Sequence, residues 1–138
     1  MHILVCVDDK GGMLFHGRRQ SRDRAVCQDI LDTAGDGRIW MTPYSQTLFQ
    51  QMDTGAVILT DPAPQERAGT GEWCFLEEQC PDLQDECLES LTLYHWNRVY
   101  PSEVGLKFLP GESGWHLVQM SEFPGHSHEK ITKEVYVR

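Results

Sequence analysis

The chain is 138 residues long, 40% hydrophobic and 24% charged, which fits one soluble domain able to bury its own core. A formal net charge of -9 and a pI of about 5.0 argue against general binding to nucleic acid or to an anionic membrane, since both need a positive surface. The five cysteines cannot all pair, and the apolar run after Met1 stops at Asp8-Asp9, too short for a signal peptide or a membrane span. Free thiols in a reducing cytoplasm are therefore expected.

Residues 2–7 read as a buried first strand, with Ile3, Leu4, Val5 and Val7 apolar. Gly11-Gly12 turns the chain, and Met13, Leu14 and Phe15 dip back toward a core. Ser21 is placed to cap a helix running to about residue 33 and stopped by Gly35. Its core stripe is Val26, Cys27, Ile30, Leu31 and Ala34. Asp23 falls on that stripe, so it points inward or into a cleft. Residues 38–42 form a second strand ended by Pro43. Ser45 then caps a short helix bearing Leu48, Phe49 and Met52, with Tyr44 and Phe49 as a hydrophobic staple. Residues 56–60 are apolar enough for a central strand, and 61–71 are a loop. Further strands are expected over 72–76, 90–97, 104–109, 115–120 and 131–137, with turns over 111–114 and at Pro124-Gly125. The β-α-β-α-β opening implies parallel strands.

Four arginines, Arg18, Arg19, Arg22 and Arg24, crowd seven residues of this acidic chain. Guanidinium forks match phosphate or carboxylate, so a small anion is the functional reading; neutralisation of Asp8, Asp9 and Asp29 is the structural one. Arg98, after Trp96-Asn97 at a strand end, is a second anion contact. The run from Glu77 to Glu89 holds six acids and no Lys or Arg, and reads as a solvated connection. His126 and His128 face one way on an extended segment, but a third metal ligand is not evident nearby, so an exposed polar turn is expected there. His16 lies close to the arginine run. No Gly-X-Ser-X-Gly, Walker or Rossmann glycine pattern occurs, which disfavours the enzymes built on them.

Taken in order, ILVCVDDKGGM, the helix over 19–35, RIWMTPYSQTLF, VILTD and the closing strands through KEVYVR resemble dihydrofolate reductase. The resemblance implies an α/β fold over 1–138: a dihydrofolate-reductase-like, mostly parallel sheet with flanking helices and an antiparallel C-terminal edge. It also places Asp23 where that family keeps the acid that protonates pterin. The family's glycine pair has no counterpart between Phe75 and Leu91, and its cationic phosphate turn corresponds to Thr42-Pro43-Tyr44-Ser45. The sequence also resembles short clostridial proteins, some labelled ribonuclease Z, whose metal motif is absent here. The expectation is a small cytoplasmic bacterial protein that binds a pterin- or nucleotide-like anion through Arg18, Arg19, Arg22, Ser45 and Arg98. No metal or cofactor is expected, NADPH being conceivable only without its usual motifs. The alternatives are a reductase using Asp23 as acid/base, or an interaction module using the acidic face. Oligomeric state stays open.

Overall fold

The structure, a computed structural model, describes residues 1–107 and 114–138. In chain order the elements are β1 (His2–Val7), β2 (Gly12–Phe15), β3 (Arg18–Arg19), α1 (Arg24–Ala34), β4 (Arg38–Met41) and α2 (Pro43–Gln46), the last continued by a 3-10 turn at Thr47–Phe49. Then come β5 (Val57–Thr60), α3 (Pro64–Arg67), β6 (Trp73–Leu76), β7 (Ser90–His95), β8 (Val104–Gly105), β9 (His116–Phe123) and β10 (Ile131–Val137). The end of the strand expected over 104–109, and most of the turn expected over 111–114, lie outside the described residues.

Seven strands form one sheet in the order β5-β4-β6-β1-β7-β10-β9. The pairings from β5 through β7 are parallel, while β10 and β9 close the edge antiparallel, as expected. β1 is apolar from Ile3 to Val7 because both of its faces are covered. Leu4 packs with α1's Val26, Cys27, Ile30, Leu31 and Ala34 on one side. Ile3, Val5 and Val7 pack on the other with Met13 of β2 and with Leu83 and Leu88. Those two leucines lie in the connection 77–89, which crosses from β6 to β7 without a helix.

Several expectations change. Asp23, not Ser21, caps α1: its carboxylate accepts from Ala25 N at 2.8 Å, and Gly35 stops the helix at φ 63° as expected. Thr42, not Ser45, caps α2, which removes the register needed for a Tyr44–Phe49 staple. The third strand is an outer edge rather than central, with Val57 49% exposed. The loop expected over 61–71 contains α3. Most consequential, residues 12–19 are a hairpin: β2 and β3 pair antiparallel around His16 (φ 52°) and Gly17 (φ 71°), the two positive-φ positions a tight two-residue turn requires. With β8 this hairpin forms a second, three-stranded sheet.

Candidate functional site

The first site grows from the residues before α1. An extended segment points side chains i and i+2 the same way. Asp23 is in that conformation (φ -151°, ψ 128°), and Ser21 precedes it by two. Into the space between them comes His128, from the connection between β9 and β10. Its Nδ1 lies 2.9 Å from Asp23 Oδ2, and its Nε2 lies 3.1 Å from Ser21 Oγ and 3.4 Å from the Tyr100 hydroxyl. The imidazole stacks on Trp96 with ring centroids 4.8 Å apart. His126 N–H and Ser127 N–H also donate to the Asp23 carboxylate, at 2.8 and 2.7 Å. The chain passes so close that a Cβ on Gly125 would stand 2.6 Å from Asp23 Oδ2.

Asp23 is 2% exposed. Burial alone would raise its carboxyl, but the donors from His126, His128, Ser127 and Ala25 outweigh it and bring the pKa down to about 2. An ionised carboxylate can only accept, so the ring nitrogen facing it carries the proton. In a neutral imidazole that leaves Nε2 as the acceptor for the Ser21 and Tyr100 hydroxyls.

The second cluster fills the cleft at the C-terminal ends of the parallel strands. Arg19, delivered by the hairpin, makes a two-pronged ion pair with Glu77, Nε to Oε2 at 2.9 Å and Nη2 to Oε1 at 3.1 Å. Its guanidinium lies 4.1 Å over the Tyr44 ring and donates to Tyr44 O at 3.2 Å. Ser45 Oγ donates to Glu77 Oε1 at 2.8 Å, and the Thr42 hydroxyl donates to Glu78. Glu77 is therefore a buried partner, not part of a solvated run.

The residues expected to bind an anion separate. Arg19 and Ser45 are bound to Glu77. Arg18 borders a cavity of about 470 Å³ with Arg19, His16, Gln20 and Tyr100. Arg22 borders a different one, of about 530 Å³, with Arg24, Thr47, Gln51 and Met52. Arg98 borders a third, of about 230 Å³, with Trp96, His128 and Lys130. Nor do the arginines neutralise the acids suggested for them. Asp8 is held ionised by the N–H groups of Tyr100, Gly12 and Lys10 and by Gln20, against a burial that raises its pKa. Asp29 pairs with Lys133 at 2.8 Å.

No protein-family model and no curated protein matches the sequence. The chain is similar to the solved structure of dihydrofolate reductase from Enterococcus faecalis complexed with NADP(H) and RAB-propyl, with a TM-score of 0.62 at 8% identity, over 99% of this chain and 95% of that one. The fold is dihydrofolate-reductase-like. At 8% identity the likeness carries the architecture and no residue roles.

In the connection between β9 and β10 of this dihydrofolate-reductase-like fold, His128 is buried where an exposed turn was expected. It is 8% exposed, whereas its neighbour His126 is exposed as expected. No local signal reveals this, because its partner Asp23 lies 105 residues away. Among the described residues, no group of three or more His, Cys, Asp or Glu side chains is arranged to hold a metal ion. Among those residues, too, no helix is long and apolar enough to cross a membrane.

Proposed function

We propose that this chain is a cytoplasmic bacterial protein that binds a small anionic ligand, pterin- or nucleotide-like, and is not an NADPH reductase. The observation that carries this reading is the cavity of about 530 Å³ between the start of α1 and the Thr47–Phe49 turn. Arg22 and Arg24 line it beside the already-bonded Asp23, Thr47 and Gln51 offer hydrogen bonds, and Leu48 and Met52 supply apolar surface. Among the described residues neither arginine is in an ion pair. The size suits a ring system carrying a charged tail.

Against a nicotinamide dinucleotide stands the donor set at the strand ends. The Thr42 and Ser45 hydroxyls are spent on Glu78 and Glu77, and the cation there, Arg19, is bound by Glu77. Those residues do not fit a phosphate. Against Asp23 as a proton donor stands its carboxyl at about 2, ionised across the neutral range. The five free thiols support a reducing compartment.

A thermal-shift panel of nucleotides, folates and NADPH tests the reading. A ligand at 100 times its Kd stabilises the native state by about 2.7 kcal/mol. A nucleotide or folate is expected to raise the midpoint, and Arg22→Ala with Arg24→Ala to abolish the rise. Stabilisation by NADPH, with its oxidation in the presence of dihydrofolate, would overturn it.

A further inference from the structure

We infer that Ser21, His128 and Asp23 form a nucleophilic triad, giving the chain an acyl-transfer site for small esters. His128 lies between the two side chains, 2.9 Å from Asp23 Oδ2 and 3.1 Å from Ser21 Oγ. The order is that of an activated hydroxyl: a carboxylate fixing the protonated nitrogen, a base, and the nucleophile on its free side.

Further features support a chemical role. Asp23 already caps α1, so Ser21 is released from the capping its position suggests. Asp23 and His128 are buried while Ser21 is half-buried. Trp96 stacks on the imidazole and holds its plane, and its π face favours the imidazolium formed when the base accepts a proton. The neighbours of Ser21 on either side, Gln20 and Arg22, border the cavities of about 470 and 530 Å³.

In the reaction, Ser21 Oγ bonds to the ester carbonyl carbon as its proton passes to His128 Nε2. The former carbonyl oxygen carries the negative charge of the tetrahedral intermediate. Collapse breaks the bond to the leaving alcohol, which takes the proton from His128. Water then attacks the acyl-serine with His128 again as base, releasing the acid and restoring Ser21. Ester and water become acid and alcohol, and no other reactant is needed.

The test treats the full chain with a small neutral fluorophosphonate, locates the adduct by peptide mass spectrometry, and follows p-nitrophenyl acetate turnover against pH. One adduct is expected, on Ser21, with turnover following a single ionisation. Ser21→Ala should keep its unfolding midpoint and lose both signals. His128→Gln should lower turnover about 100-fold and erase the ionisation. If His128→Gln does not fold, Ser21→Ala decides alone. No adduct on Ser21, or undiminished turnover in Ser21→Ala, overturns the inference. The adduct is read without ligand and the thermal shifts without ester, so this inference and the anion-binding reading can fail separately.

Discussion

Asp23 joins the cap of α1 to the connection between β9 and β10, and its charge is what holds them. Its pKa falls from 3.8 in the unfolded chain to about 2 in the folded one. A depressed carboxyl contributes stability above the unfolded value and loses it as pH falls through the folded value. The contribution is on the order of 2 kcal/mol at neutral pH, lost between about pH 4 and pH 2. Asp23→Asn should therefore be less stable at pH 7, and its acid unfolding curve should lose the dependence in that window. Gly125 serves the same contact. An added Cβ would meet Asp23 Oδ2 at 2.6 Å and His128 O at 2.8 Å. Gly125→Ala should cost about 1–3 kcal/mol by urea unfolding. A cost near zero would mean that the connection moves aside without loss.

The β2–β3 hairpin is the element that separates this molecule from a simple sheet with an open cleft. Its turn at His16-Gly17 aims Arg19 into the strand ends, where Glu77 is 8% exposed. Removing one partner of such a pair strands a buried charge, typically at a cost of about 3–5 kcal/mol. Arg19→Met should be destabilised by that order, and Arg19→Met with Glu77→Met should recover most of it. Failure of the double variant to recover would assign the loss to the Tyr44 stacking, where the guanidinium lies 4.1 Å from the ring centroid. The capping register of α1 shows why the hairpin and its neighbours were partly hidden. Ser21 and Asp23 are both good caps, and the choice between them was made by His126, Ser127 and His128, which offer donors only to Asp23's carboxylate at that position.

Across the whole molecule the core divides into two apolar layers on the faces of one sheet, with Cys27 in one and Cys74 in the other. Cys27 and Cys74 are buried, which pushes their pKa values up to about 11 and about 12, while Cys87 is exposed. With a disulfide-exchange reagent on the folded protein, Cys87 should react first. Cys27 and Cys74 should react only as the chain unfolds, and all five in denaturant. Fast reaction of Cys74 in the folded state would contradict its place beneath the sheet.

Strands and the α1 core stripe were legible because they are local: β1, α1 and β10 follow from apolar spacing over a few residues, and all five residues of the α1 stripe are buried. The parallel order followed from how the opening elements alternate, and the antiparallel edge from the family resemblance. Burial of His128, the edge position of β5, and the division of the arginines among three cavities were not local. Each depends on which distant segment arrives. His128 reaches Asp23 across 105 residues, and Glu77 reaches Arg19 across 58. A polar side chain carries no mark of its future partner, since a histidine beside water and one against a carboxylate have the same neighbours in the chain. The sequence by itself determined the fold class, the core and the inward acid. The tertiary structure decided which hydroxyl, ring and cation that acid and its surroundings would meet, because those contacts exist only once the sheet has brought the ends of the chain together.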